Sequence, residues 1–424
     1  MALTPKCPPA PPLTGPRARA NSLVPYPLKI CDVTQFYSPV SGGVKRYVHE
    51  KRAYIEAHTQ DEHWLIVPGA ETRHTAEGKD GRLHTITIRS PRLDKTSRYR
   101  LLLSTSQVRS FLEDIRPDII ESGDPYHVAW TCLRAGRDLH TPVFGFYHSH
   151  FPEAYLRTVL KYGGSWLREV VMAWAQDYIV RLYRQFQGTL VASDHLKELL
   201  TDWGVDNTVS IKLGVDTESF EPGPADAELR REIGIPDDAF VLLYVGRLSG
   251  EKNIATLLEA FRLVHAADPR FYLVVVGDGP LRRLLPAVRK ETHALHWHTY
   301  VNENKVLARY YRMANLFVHP GVCETFGLVA LESQACGLPV VGIRGSYMDA
   351  NVFCGLDHWG RANTPRELAD AIVRMSKLNL PQIGRAAAQT VHDRFAWKVV
   401  FRQLWDQYEK AHHAGPTHPY YRRG

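Results

Sequence analysis

Short apolar runs recur along the chain, each stopped by glycine, proline or a polar pair and each followed by a helical repeat. Leu28-Lys29-Ile30-Cys31-Asp32-Val33 leads toward Gly42-Gly43, and Phe240-Val241-Leu242-Leu243-Tyr244-Val245 stops at Gly246. Helical spacing follows both, over 47–54 and over 254–264. Strand, turn and helix in that order open a parallel α/β sheet. The same pattern predicts strands at 62–67, 83–88, 119–121, 143–147 and 188–192, then at 271–276, 316–319 and 339–342. Helical periodicity fills the intervals. Strands this short and apolar suit a doubly wound sheet covered on both faces.

Two such openings imply two sheets, and 424 residues exceed what one core usually holds. The break falls between 212 and 236, where Lys212-Leu213-Gly214-Val215-Asp216 closes one unit and Glu221-Pro222-Gly223-Pro224 reads as a linker. The expected organisation is a proline-rich disordered leader over 1–27, a Rossmann-like domain over 28–212 and a second over 213–394. A helix over 395–412, with Trp405 and Tyr408 on one face, is expected to pack back on the first domain, leaving a tail over 413–424.

Hydrophobic residues at 44% and charged residues at 23% describe an ordinary soluble domain composition. No run approaches the roughly 18 apolar residues of a membrane span. The six cysteines form no CxxC pair, which predicts buried reduced thiols and a cytoplasmic protein. A net charge of +7 favours anionic partners, and nucleic acid, anionic lipid or a phosphorylated substrate would each satisfy it. The absence of a reader motif or aromatic-basic repeat argues against nucleic acid.

The densest chemistry lies in Pro320-Gly321-Val322-Cys323-Glu324-Thr325-Phe326-Gly327-Leu328-Val329-Ala330-Leu331-Glu332. A strand precedes it and a helix follows, so the amides of Gly327, Leu328 and Val329 are expected at a helix tip, where they bind phosphate. Gly327 allows a pyrophosphate to approach the backbone. Glu332 lies roughly 7–8 Å along that helix, suited to ribose hydroxyls, and Glu324 falls on the opposite side, where a sugar would project. Two acids at accidental spacing are the plain alternative. Gly246-Arg247-Leu248-Ser249-Gly250-Glu251-Lys252 ends a strand and brings two cations to the same crevice; a solvated charge cluster is the alternative. Gly277-Asp278-Gly279-Pro280 reads first as a tight turn.

These residues resemble glycosyltransferase family 4, whose members are retaining enzymes of the GT-B fold, with two Rossmann-like domains facing across a cleft. The likeness is carried by Tyr244-Val245-Gly246-Arg247 with Lys252, by Val276-Gly277-Asp278-Gly279-Pro280, and by Glu324 through Glu332 followed by Ala335-Cys336-Gly337-Leu338-Pro339-Val340-Val341. The resemblance implies a donor site of Gly43, Gly246, Arg247, Lys252, Gly277, Phe326, Gly327, Leu328, Val329 and Glu332. Within it, Arg247 and Lys252 hold the diphosphate, Glu324 the transferred sugar and Glu332 the ribose. His148, in Phe146-Tyr147-His148-Ser149-His150, matches a histidine near the sugar; with Arg247, Lys252 and Glu324 it completes the implied catalytic set. His150 competes with it, and a core or loop histidine is a third reading. Tyr37-Ser38-Pro39-Val40-Ser41-Gly42-Gly43-Val44 resembles the family's first glycine loop. The family's Gly-Gly-Ile/Val-Pro-Glu turn is replaced here by Arg344-Gly345-Ser346-Tyr347-Met348-Asp349, which leaves the sugar open.

No Asp-x-Asp triplet occurs, so neither a metal nor another cofactor is expected, and cations with a helix tip would stabilise the leaving diphosphate. The resemblance implies same-face attack. Residues 155–186 mix aromatic and aliphatic positions with Arg157, Lys161, Arg168, Arg181 and Arg184. They read either as internal helices with basic edges or as a surface for an anionic bilayer. The expected partners are therefore a nucleotide-sugar donor and a hydroxyl acceptor, a lipid-linked one included, with peripheral contact on the inner membrane face and no nucleic acid. The first half is similar to bacterial GDP-mannose-dependent α-mannosyltransferases and to UDP-sugar lipid glycosyltransferases, sulfolipid synthases among them. Mannose from GDP-mannose is the favoured donor. An epimerase and a non-catalytic sugar-nucleotide sensor are the rivals.

Overall fold

The computed structural model describes residues 27–35, 37, 43–92, 100–147, 165–322, 324 and 326–416. In the first half, β1 (Lys29–Val33) is followed by α1 (Gly43–His58), β2 (Glu62–Gly69), β3 (Arg73–Glu77) and β4 (Leu83–Arg89). Next come α2 (Thr105–Ile115), β5 (Ile119–Ser122), α3 (His127–Leu139), β6 (Val143–Tyr147) and α4 (Ser165–Tyr183). β7 (Gly188–Val191), α5 (Asp194–Asp202) and β8 (Thr208–Ser210) close it. Among the described residues these strands form one sheet in the order β3-β4-β2-β1-β5-β6-β7-β8, parallel throughout except for β3 against β4.

The second half opens with α6 (Ala227–Glu232), β9 (Phe240–Val245), α7 (Ile254–Ala267), β10 (Phe271–Val276) and α8 (Leu285–Thr292). It continues through β11 (Leu295–His298), α9 (Asn304–Met313), β12 (Leu316–His319), α10 (Leu328–Ala335) and β13 (Val340–Gly342). α11 (Pro365–Ser376), α12 (Leu380–Phe395) and α13 (Trp397–Ala414) are the last helices among the described residues. Its sheet is wholly parallel, ordered β11-β10-β9-β12-β13. Strand order reverses between β1 and β5 in one sheet and between β9 and β12 in the other. The carboxyl ends of strands at such reversals are where open α/β sheets hold ligands.

Every strand expected from an apolar run is present, with small shifts at its ends. Three others were not foreseen. Arg73–Glu77 is a largely exposed antiparallel edge, polar along its length. Thr208–Ser210 and Leu295–His298 are short and carry too few apolar residues to stand out. α1 and α7 run longer than the apolar repeat suggested, because their ends are polar and exposed.

α13 runs to Ala414, past the 412 expected, and lies on the first half. Its aromatic stripe meets α1: Tyr54 stands 5.0 Å from Trp405 and Tyr47 5.7 Å from Phe401, ring centre to ring centre. Trp405 Nε1 donates to Asp61 Oδ2 at 2.6 Å. Beneath the helix, the fully buried Lys51 ammonium donates to both oxygens of Asp32 at 2.8 and 3.0 Å, to Glu121 Oε2 at 3.1 Å and to Tyr408 OH at 2.9 Å.

The chain crosses between the halves twice, and the crossings touch. Val215 N donates to Phe395 O at 2.7 Å, and Val215 bridges Ala396. Gly214 lies under Trp397, so close that a β-carbon there would stand 2.5 Å from the indole. Cys31, Cys132, Cys336 and Cys354 are buried free thiols. No described helix is long and apolar enough to cross a membrane.

Candidate active site

The helix tip is built from behind. β12 ends at His319, and α10 begins at Leu328 with Gly327 as its cap at φ +78°. A β-carbon on Gly327 would lie 2.3 Å from Met348 Sδ, and Met348 is fully buried. Met348 belongs to the turn where the sequence leaves the family pattern, so that departure packs against the tip. Asn351 Nδ2 holds the preceding loop by donating to Phe326 O at 3.0 Å. Among the described residues no side chain caps α10, which leaves the Leu328 and Val329 amides available to a ligand.

A cavity of about 380 Å³ opens in front of this tip. The first half contributes Gly43 and Val44, and the crossing contributes Leu213. Tyr244, Val245, Gly246 and Lys252 line it from the end of β9, and His319, Glu324, Phe326, Gly327, Leu328 and Val329 from the end of β12. The cavity therefore lies where both halves meet, at the second sheet's reversal point. Of the residues singled out in the sequence, Gly43, Gly246, Lys252, Glu324, Phe326, Gly327, Leu328 and Val329 come together here.

Glu324 is the charged floor. Its carboxylate pairs with the Lys252 ammonium, and His319 Nε2 stands 3.6 Å from Oε2. Burial works to raise the Glu324 pKa, but His319 and Lys252 outweigh it and bring it from 4.5 down to about 2. The acid is an anion throughout the neutral range. The cavity thus holds one anion, one cation beside it, and a set of backbone donors a few residues on.

The other expected residues lie elsewhere. Glu332 does not line the cavity: its side chain is 2% exposed, packed behind the tip. Tyr311 OH donates to its Oε2 at 2.9 Å, and Arg46, from α1 in the opposite half, pairs with Oε1. Burial pulls the Arg46 guanidinium toward neutrality, yet Glu332 beside it raises its pKa above the ordinary arginine value. The Arg247 side chain is exposed and lines an open hollow of about 690 Å³ shared with Asp278, Arg282 and Arg283, whereas Lys252 lines the cavity at the tip. Gly277 has φ +145° and a backbone so close to Gly246 that a β-carbon would sit 1.9 Å from the Gly246 carbonyl. It lets the loops after β9 and β10 touch and does not line the cavity. His148 and His150 lie outside the described residues.

Sequence reasoning missed His319, Tyr244, Val245, Val44 and Leu213 on the cavity wall, and Arg46 with Tyr311 around Glu332. His319 was findable as the last residue of a strand at the reversal point. Arg46 gave no local signal, since its partner lies 286 positions away.

Residues 225–388 match the model for glycosyl transferases group 1, and residues 41–219 match that for glycosyltransferase family 4. A GDP-mannose-dependent α-(1-6)-phosphatidylinositol dimannoside mannosyltransferase of Mycobacterium tuberculosis is 30% identical over 322 residues, 75% of this chain and 80% of that protein. The chain belongs to glycosyltransferase family 4. The family 4 enzyme also resembles a sulfoquinovosyl transferase of Arabidopsis thaliana, at 28% identity over 73% of this chain and 60% of that one. Its fold is GT-B. Sucrose-phosphate synthase from Thermosynechococcus elongatus superposes with a TM-score of 0.72 at 20% identity, covering 91% of this chain and 100% of the other. Anabaena HepE in complex with UDP and glucose gives 0.68 at 16% identity, covering 90% and 99%.

Proposed function

We propose that this glycosyltransferase moves a hexose, with retention, from a nucleotide diphosphate sugar to a hydroxyl of a lipid or lipid-linked acceptor, with GDP-mannose as its preferred donor. The cavity between the halves carries this reading: an uncapped helix tip, Lys252 and anionic Glu324 sit within one space of nucleotide-sugar scale. The diphosphate lies against the Leu328 and Val329 amides and near Lys252, which stabilise negative charge as the sugar leaves. Glu324 accepts hydrogen bonds from hydroxyls of the sugar, and His148 is given a part beside it on the motif resemblance alone. Arg247 joins by turning in from the rim. The departing phosphate takes the acceptor's proton, and Lys252 with the helix tip takes the part a metal would play in neutralising the leaving charge.

GDP-mannose is favoured because relatives bearing that donor in their names span most of both chains. A UDP-sugar is the second reading, supported by the sulfoquinovosyl transferase and by an α-monoglucosyldiacylglycerol synthase of Streptococcus pneumoniae. Thermal shift and turnover with GDP-mannose, UDP-glucose and UDP-sulfoquinovose separate the two. Selective stabilisation and acceptor-dependent turnover with GDP-mannose, undiminished by EDTA, are expected. Turnover without any acceptor would favour an epimerase, and binding without turnover a sensor.

The lipid reading is supported by Trp174 and Val170, exposed at 67% and 46% on α4, with Arg181 and Arg184 exposed on the same segment. Flotation with anionic vesicles at low salt should carry the enzyme up, and Trp174→Ala should reduce the floated fraction severalfold. Failure to float with anionic vesicles at low salt would remove membrane contact from the proposal, and equal recovery with neutral vesicles would remove only the role of charge.

A further inference from the structure

Glu332 has one oxygen held by its own half and the other by the opposite half. Tyr311 OH, on α9, takes Oε2 at 2.9 Å, and the Arg46 guanidinium takes Oε1. A carboxylate this deeply buried is strongly unfavourable without a partner, so some donor must occupy Oε1 whenever the acid is charged. In the absence of a nucleotide that donor is Arg46. A ribose binding at Glu332 brings hydroxyl donors to the same carboxylate, and Oε1 is the oxygen that Tyr311 leaves for them.

Arg46 is placed to leave without being lost. It lies one turn into α1, whose first residues, Gly43 and Val44, line the cavity. Among the described residues its Nη2 is buried with no hydrogen-bond partner, so the guanidinium is incompletely satisfied on Glu332. The Phe220 ring, 5.8 Å from its centre, offers a face along which the planar group can slide. A diphosphate entering at the tip of α10 supplies the negative charge that the guanidinium gives up.

We infer that Arg46 is a positioning residue that holds Glu332 until the donor's ribose replaces it, so that nucleotide binding breaks an ion pair joining the two halves. The inference rests on the reading that Glu332 receives the ribose. It makes donor occupancy and the relative setting of the halves two sides of one exchange at Oε1. Arg46 then turns toward the diphosphate, adding a contact from the first half that exists only when donor is present.

The test is a double-mutant cycle on the full chain with Arg46→Met, Glu332→Gln and the double variant, read by melting temperature. It is run without ligand, with GDP or UDP, whichever binds more tightly, and with the matching 2′,3′-dideoxynucleoside diphosphate. Each ligand is held well above its own Kd for each variant. Without ligand the two substitutions should be strongly non-additive. The ribonucleotide should abolish that coupling, whereas the dideoxy analogue, which lacks both ribose hydroxyls, should leave it intact. A merely structural pair would keep the same coupling in all three conditions, and that result overturns the exchange. If Arg46→Met does not fold, Arg46→Lys paired with Glu332→Asp runs the same cycle. Glu332→Gln should also weaken ribonucleotide binding at least tenfold and leave the dideoxy analogue unaffected. Unchanged ribonucleotide affinity would remove the ribose reading itself, whereas weakened affinity with persistent coupling removes only the exchange.

Discussion

Glu324 keeps its charge in a buried position because Lys252 and His319 face it on a shared wall. Its pKa is lowered, so its contribution to stability is complete above the ordinary value of 4.5 and fades only as pH falls toward about 2. An acid limb in the activity profile between pH 5 and 7 therefore belongs to another group. Glu324→Gln should lower turnover at least tenfold while leaving the midpoint of that limb in place, as steady-state profiles would show; a moved midpoint would reassign it. Glu50 behaves oppositely. Burial raises its pKa from 4.5 to about 7, with Asp216 and Glu218 adding to the rise and Arg46 opposing it. A raised carboxylate favours the folded state below pH 4.5 and loses that contribution as pH climbs through about 7. Glu50→Gln should accordingly melt above the wild type at pH 8 and close to it at pH 5. A difference independent of pH in calorimetric scans would contradict this. Both acids are visible in the sequence, but their opposite shifts are not, because each depends on burial and on a set of neighbours that includes residues remote along the chain.

Among the elements, α10 concentrates the site's demands on its backbone. Gly327 adopts φ +78° and touches Met348, so an added methyl meets a conformational and a steric obstacle at once. The left-handed conformation alone costs a non-glycine residue about 1–2 kcal/mol. Gly327→Ala should lose at least that much in denaturant unfolding and raise the donor KM tenfold or more. Adding Met348→Ala should recover the steric part and leave the conformational part; full recovery would show that φ is not limiting. The strand–loop–helix around Gly327 was legible because a buried parallel strand is a short apolar run and a helix end needs a small residue. The polar edge Arg73–Glu77 was not, since its pairing with β4 is what makes it a strand. Arg247 shows the same limit within a motif. Its position after β9 was readable, yet its side chain points to the Arg282–Arg283 hollow and Lys252 alone of the pair faces the cavity.

At the scale of the molecule, the chain's last helix belongs to its first sheet. Lys51 sits where Asp32, Glu121 and Tyr408 converge, fully buried beneath α13. Removing that charge strands two buried acids, and breaking such a pair typically costs about 3–5 kcal/mol. Lys51→Met should lower stability by that order and loosen α13, with amide exchange of residues 397–414 rising most. A uniform rise across both halves would argue that α13 is not held locally. The crossings at Val215 and Ala396 put the two connections side by side, so movement of the halves turns about one place. Gly214→Ala, which drives a methyl into Trp397, should lower the melting temperature and alter donor KM more than kcat; an unchanged KM would separate that contact from the cleft.

What the sequence determined by itself was the alternation of strand and helix, the two-sheet plan, and the loops carrying Lys252, Glu324 and the α10 tip. Those features follow from local periodicity, glycine placement and the unpaired amides at a helix start, all of which act over a few residues. Which acids face the cavity, which cation answers them, and that Glu332 is joined to Arg46 were decided only in three dimensions. Burial and ion pairing act through space, and residues hundreds of positions apart become neighbours only once both sheets have formed and the last helix has returned to the first.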